Sequence, residues 1–550
     1  MPHATTHRAA VLIGMALAAP TLAQTLTFPE GAEVPASMTA AEAEHVKENP
    51  ITATPSRAAP PALVRTPGEY EPAEGIMFAY EGPNSWKSII SQMVRDITTI
   101  GDATAFVFVD TASEQSSAFN AISSFGADMS RVSFHVRTTD TIWLRDYGPR
   151  YVYLGSQPDG TGGVRAIIDH TYNRPRPNDN AIPSFWSTLR SEPSFLIPLV
   201  HGGGNYHLET GNPGGVGHST NLIVNENPGL SASQIIQHWR DYQNLETTLY
   251  TPYPAFVDST QHIDMWMIML DDDAVMISEW VNEPTASWAI TSNNAAADFQ
   301  ARGFTVYRVP AVRSGGTHYT FTNAVICNDL VLVPRYTNST ASQFNDDALA
   351  VWQAAYPGKT ISQINCQALV TSAGVMHCIV MHVPATANGD APGLYMNSQN
   401  DQPVIEPGDL VETTWLFDSP EGVTTADLFL SNDGGATFPT TISTGFDGTA
   451  GSYYWVAPDI ASTDARLRLV IRDADGNETS DVSDASFSIN GTACTPDLAE
   501  PFGTLNFFDI STFITLYNNA DPAADLAEPF GTLNFFDIST FIAAYNAGCP

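Results

Sequence analysis

The sequence predicts an α/β protein followed by an all-β portion and a short duplicated helical tail, and three observations carry that reading. In residues 65–385, helical patterns (85–100, 231–242, 342–355) alternate with β-rich apolar runs (105–109, 131–136, 274–277, 305–309, 330–333), as in an α/β domain. Residues 386–490 change character. Short β-patterned stretches, such as Leu428-Phe429-Leu430, Tyr453-Tyr454-Trp455 and 467–471, are separated by turn signals, among them Asn432-Asp433-Gly434-Gly435 and Asp475-Gly476-Asn477. That pattern predicts an all-β sandwich of immunoglobulin type. Residues 494–550 hold the same eighteen residues twice, at 497–514 and 525–542, 28 apart. Each copy runs a Gly-Thr-Leu-Asn-Phe-Phe-Asp loop into a short helix. Ile510, Phe513, Ile514 and Tyr517 fall on one face of the first, so the two units are suited to pack on each other.

The N-terminus precedes these elements. Arg8, an apolar run over 9–19 and Thr21-Leu22-Ala23 form a signal peptide, residues 1–23, with cleavage expected after Ala23. The run is too short for a membrane helix. A secreted, periplasmic or cell-surface protein without a transmembrane segment is expected. Residues 24–64, rich in Ala, Pro, Glu and Thr, read as a flexible leader. At 550 residues the chain is too long for one core.

Lys+Arg total 23 against 59 Asp+Glu, a net charge of −36, and only three lysines occur (Lys47, Lys87, Lys359). This excludes a generic nucleic-acid binder, which needs a basic surface, and favours cationic ligands. Export implies an oxidising compartment. Five cysteines leave at least one without an intramolecular partner. Cys494 and Cys549 bracket the tail as a clasp, Cys327 and Cys366 are a second candidate pair, and Cys378 is then left over. It follows His377 in Gly374-Val375-Met376-His377-Cys378 and is a candidate nucleophile.

Three polar clusters join it: Ile142-Trp143-Leu144-Arg145-Asp146-Tyr147-Gly148-Pro149, His201-Gly202-Gly203-Gly204-Asn205 with Glu209, and Gln261-His262-Ile263-Asp264-Met265-Trp266-Met267. On a strand, His262 and Asp264 would face the same side. A thiolate needs an electrophilic carbon, and two carboxylates suit a cationic, planar donor such as a guanidinium. A histidine can shuttle the proton to departing ammonia. The set spells amidine hydrolysis by covalent catalysis.

The order W-x-R-D-x-G-P, G-G-N, H-x-D-M-W and H-C resembles the bacterial (Porphyromonas-type) peptidyl-arginine deiminase and agmatine deiminase family, over residues 65–385. The resemblance implies the pentein fold, a five-bladed α/β propeller. It also implies Cys378 as nucleophile, His262 as general acid/base, Asp146 and Asp264 on the guanidinium, and no cofactor. Trp143 and Asn323 are then substrate-binding residues. Arg174 and Arg176 resemble a pair that grips the carboxylate of a C-terminal arginine. Gly202 stands where agmatine deiminases carry Glu, and Ser259 where a tyrosine is expected in the peptidyl branch. Peptidyl-arginine is the favoured substrate. The alternatives are agmatine, converted to N-carbamoylputrescine in putrescine biosynthesis, and a non-catalytic cell-surface binding protein. The tail resembles a dockerin-like module ending in Gly548-Cys549, implying a protein anchor. Its candidate calcium oxygens are Asp497, Asn506, Asp509, Asp525, Asn534 and Asp537, although Ala499 and Pro501 replace the middle ligands.

Overall fold

One unit recurs five times up to Pro384. A short strand pairs antiparallel with a longer one, a helix crosses over, and a further strand returns parallel to the longer one. The units with a contiguous chain are Arg150–Leu154, Val164–Tyr172 and Ser194–His201; His207–Glu209, Gly215–Thr220 and Leu245–Tyr250; Met267–Asp271, Ala274–Trp280 and Thr305–Ser314; and Val325–Cys327, Leu330–Arg335 and Thr360–Asn365. The remaining unit joins the two ends: Val380–Pro384 pairs with Ala73–Ala79, which Thr104–Val109 and Val132–Val136 extend. A parallel return needs a crossover, and the helices Asn84–Thr99, Ile182–Arg190, Ala232–Gln243, Ser287–Ala301 and Asn345–Ala355 supply it. The computed structural model describes residues 26–55, 58–156, 161–210, 214–401, 403–419, 422–491, 496–500 and 504–548.

Local sequence explains the elements. Helix Asn84–Thr99 buries Ile89, Ile90, Met93, Val94 and Ile97 along one stripe. Helix Ala232–Gln243 opens on a Ser231/Gln234 capping box and ends on Asn244 at φ 54°. Two expectations shift. The helix expected over 342–355 splits into a 3-10 turn, Ala341–Phe344, and the helix Asn345–Ala355. His262 and Asp264 are not on a strand: a 3-10 turn, Ile263–Met265, carries them and the strand begins at Met267.

The strands between Gly393 and Asn490 form two sheets around Trp415, Leu428, Trp455, Leu469 and Phe487. Arg165 ties them to the preceding region, donating from Nε and Nη2 to the two oxygens of Asp418 at 2.6 and 2.8 Å. In the tail, helices Phe507–Asn518 and Phe535–Ala547 meet through stacked Phe513 and Phe541 rings, 4.0 Å apart. The Asp509 carboxylate accepts the backbone N–H of Leu498, Ala499 and Asn506, and Asp537 repeats this with Leu526, Ala527 and Asn534. Asn506 and Asn534 cap the two helices, and Asp525 accepts the N–H of Gly531. Asp525 Oδ1 has no hydrogen-bond partner among the described residues, while the other oxygens named here serve N–H donors.

Two expectations are corrected. The leader is not flexible throughout 24–64: Ala40–Glu48 is a helix with a Thr39/Glu42 capping box, and Val34, Ala36 and Glu42 are buried. Cys327 and Cys366 do not pair; both are free, buried thiols, because Cys327 ends one outer strand of a sheet and Cys366 follows the other, with Leu330–Arg335 between them and the two cysteines at its opposite ends. The signal peptide 1–23 and the Cys494–Cys549 pair lie outside the described residues.

Burial pushes the Cys327 thiol up to about 12 and the Cys366 thiol higher still. Neither should react with iodoacetamide in the folded protein, and both should react after denaturation without reductant. A Cys327–Cys366 peptide in a non-reducing digest would contradict this.

Candidate active site

Each recurring unit is entered by a tight turn, and all five turns converge on one centre. Leu144–Tyr147 brings Asp146, Gly203–Asn205 brings the glycines, and Ile263–Met265 brings His262, Asp264 and Met265. Residues 321–324 bring Asn323, and His377–Ile379 brings His377 and Cys378. Cys378, His262, Asp146, Asp264 and Asn323 are all buried, none more than 2% exposed.

Glycine makes the convergence possible. A Cβ on Gly204 would lie 2.9 Å from Asp146 Oδ1, 2.9 Å from His262 Nδ1 and 3.0 Å from Asp264 Oδ2. A Cβ on Gly202 would lie 2.8 Å from His262 Cε1, so a side chain there would collide with the imidazole. Gly204 also donates its N–H to Asp146 Oδ1 at 3.1 Å.

The Cys378 thiol lies 3.4 Å from Asp264 Oδ2 and accepts from Asn323 Nδ2 at 3.2 Å. Asn323 Oδ1 accepts the N–H of His377 at 3.0 Å. Asn323 thus reaches the site as a brace on the cysteine turn. No imidazole bonds to the thiol among the described contacts. His377 Nδ1 pairs with Asp264 Oδ2 at 2.8 Å and its Nε2 with Glu69 Oε2 at 2.7 Å, while His262 Nδ1 faces Asp146 Oδ1 at 3.3 Å. Asp264 Oδ1 and His262 Nε2 have no hydrogen-bond partner among the described residues.

Burial, reinforced by Asp264 and Asp146, pushes the Cys378 thiol well above its ordinary value. Burial alone would depress His262, but Asp146, with Asp264 behind it, overrides this and lifts it to about 9. Burial would raise Asp146, and His262 instead holds it below the usual carboxylate range. The same holds one step outward. Burial would raise Glu69, yet Arg145, His377 and His382 keep it well below, and Arg145 Nη1 bonds its Oε1 at 2.5 Å.

Trp143 flanks the cysteine turn: a Cβ on Gly374 would lie 2.4 Å from the indole and 3.1 Å from Cys378 Cβ. Its Nε1 donates to Val34 O of the leader at 2.8 Å. The expected Arg174/Arg176 fork is not open to a ligand. Arg176 is fully buried on Glu42, Nε to Oε1 at 2.7 Å, and also bonds Pro35 O at 2.8 Å; Arg174 Nε donates to Ala36 O at 3.1 Å. The leader folds into this place, which the reading of a flexible segment did not provide for.

Sequence reasoning missed Glu69, Arg145, the pairing of His377, and Glu226. His377 had a signal, adjacency to Cys378, and Arg145 stood inside the first cluster. Glu69 is 308 residues from its partner and had none. Glu226 ends the helix Leu222–Glu226, accepts from Asn173 at 2.5 Å, and keeps Oε2 buried without a partner.

Residues 65–384 match the family described as Porphyromonas-type peptidyl-arginine deiminase. The agmatine deiminase of Stutzerimonas stutzeri is 21% identical over 374 residues, covering 58% of this chain and 97% of that protein. The agmatine deiminase of Medicago truncatula is 23% identical over 302 residues, covering 46% and 79%. The solved agmatine deiminase of Enterococcus faecalis superposes with a TM-score of 0.51 at 18% identity, covering 60% of this chain and 98% of that one, a likeness of fold. With the matched segment spanning every turn of the centre, the chain belongs to the Porphyromonas-type peptidyl-arginine deiminase family, and so to the guanidino-group deiminases.

Proposed function

We infer that this chain hydrolyses the guanidinium of an arginine side chain or of agmatine to a ureido group and ammonia, through a covalent bond to Cys378. One observation carries the reading: a thiol, an imidazole and two carboxylates share a buried space kept open by Gly204. The five units are the five blades of a propeller around that space.

The guanidinium lies between Asp146 and Asp264, whose unpartnered Oδ1 accepts one of its N–H groups. Bringing a cation beside Cys378 offsets the two carboxylates that hold its proton on. The thiolate forms with the substrate in place, the thiol's proton passing to neutral His262. Sulfur then bonds to the guanidinium carbon, and the carbon–nitrogen bond breaks as His262 gives its proton to departing ammonia. In the second half His262 takes a proton from water, the oxygen bonds to carbon, and the carbon–sulfur bond breaks to release the ureido product. Asn323 holds the cysteine turn through both halves. Glu226, held by Asn173, lies near enough to His262 for their charges to interact, with no hydrogen bond between them. The N-terminal segment exports the enzyme, and the duplicated tail attaches it to a protein partner.

A ureido assay on agmatine, free arginine and peptides with internal or terminal arginine tests the reading; no product from any of them would refute it. Cys378→Ser should lower turnover by at least about a thousandfold with an unchanged circular dichroism spectrum. His262→Gln should cost about a hundred- to ten-thousandfold.

The pH dependence follows from His262. Before reaction the Cys378/His262 pair must carry one proton fewer than at neutral pH, and His262, at about 9, releases it first. kcat/KM should therefore climb with pH towards about 9. Asp146→Asn removes the charge that raises His262, so the rising limb should move to lower pH; an unmoved limb would show that Asp146 does not set it. For stability the direction is the opposite. The raised value contributes fully below the ordinary 6.5 of imidazole and is lost as pH rises through about 9.

A further inference from the structure

The reacting groups are all at most 2% exposed, so a substrate reaches Cys378 only if something moves. What lies over them on the Trp143 side is the leader. Val34 O caps the Trp143 indole, Ala36 N–H bonds Ser372 O at 2.9 Å in the loop before Cys378, and Ala36 O takes the N–H of Arg174. The helix Ala40–Glu48 then delivers Glu42 to Arg176.

The manner of attachment sets this segment apart. Helices usually dock through an apolar stripe, yet the one buried residue of this helix is Glu42. A nine-residue helix is marginal alone, so it forms as it docks. Beyond Glu42–Arg176, the segment is held by side-chain donors of Trp143, Arg174 and Arg176 on its carbonyls, one backbone bond to Ser372, the small Val34 and Ala36 side chains, and a Lys87–Glu30 ion pair at 2.7 Å whose glutamate is half exposed. Such a segment opens more cheaply than the sheets beneath it. The key contact is a carboxylate on a guanidinium, the chemistry by which an arginine holds the carboxyl end of a peptide or amino acid.

We propose that residues 34–42 are a built-in competitor of the substrate. Glu42 takes on Arg176 the place of a substrate carboxylate, and Val34 and Ala36 cover Trp143. This rests on the deiminase reading above. A closed cover reduces apparent affinity by the fraction of open molecules and leaves the chemical step untouched. A ligand with its own carboxylate, such as a peptide ending in arginine, displaces Glu42 and gains Arg176. Agmatine has no carboxylate and gains only the opening.

The test uses the full chain with Glu42→Ala, which removes the carboxylate, and Glu42→Gln, which keeps its size. Two quantities are read: the rate at which uncharged iodoacetamide labels Cys378, and kcat and KM for agmatine and for a peptide ending in arginine. Glu42→Ala should label at least about tenfold faster. It should lower KM for the peptide by at least about tenfold with kcat within about twofold, the size expected when one charge-assisted pair is lost from the closed state. Glu42→Gln should fall between. A synthetic peptide of residues 31–49 should restore protection in Glu42→Ala. If Glu42→Ala does not fold, a protease site placed after the leader helix, at residues 52–54, frees the segment without touching it and should give the same changes. Labelling and KM both within about twofold of the unmodified chain would overturn the cover while leaving the deiminase reading intact. Faster labelling with no turnover of any guanidine by either protein would leave the cover standing and remove the deiminase reading.

Discussion

Two carboxylates held side by side out of water, Asp146 and Asp264, are the constraint around which the centre is built. Each is costly to bury alone, and each raises the cost of the other. The protein answers with alternating charge. His262 faces Asp146, His377 faces Asp264, Glu69 faces His377, and Arg145 faces Glu69. The chain of pairs runs from Cys378 through Asp264, His377 and Glu69 to Arg145, and beside it His262 holds Asp146 below the usual carboxylate range. It also explains why Cys378 keeps its proton at rest: every imidazolium in reach is already committed to a carboxylate. The substrate is the cation the thiol lacks.

The chemistry was legible in the sequence because covalent amidine hydrolysis demands residue types that stand out: a cysteine beside histidine, H-x-D, and R-D before Gly-Pro. The α/β alternation was legible because the crossover helices bury one stripe and the strands are continuous apolar runs. The recurrence of the unit was expected only through the family resemblance, since its copies share a plan of pairing and no common motif. Glu69 was invisible because its importance comes from a contact spanning the whole domain. The strand assigned to His262 and Asp264 failed because a two-residue spacing also occurs in a tight turn. The two arginines were recognised as carboxylate binders, and the carboxylate they meet belongs to the chain itself.

Assembly from five turns makes the geometry depend on closure. The turn with Cys378 leads directly into Val380–Pro384, and that strand is fixed by pairing with Ala73–Ala79 at the other end of the domain. Glu69 sits just ahead of Ala73–Ala79. The same closure therefore places the nucleophile and the outermost carboxylate of the charge chain. A site made this way tolerates change in the helices and outer strands and little in the turns, where Gly202 and Gly204 leave no room for a Cβ.

The leader completes the electrostatics from outside. A chain of net charge −36 with paired carboxylates at its centre attracts cations and repels anions, which suits a guanidinium and opposes a peptide carboxylate. Arg174 and Arg176 are the local exception, and in the closed arrangement Glu42 and Ala36 consume them. On the proposal that the leader lifts, Arg176 is freed to take a carboxylate, which suits an arginine that ends a chain. On that proposal, substrate choice depends on the chain's own N-terminal segment as well as on the residues that perform the chemistry.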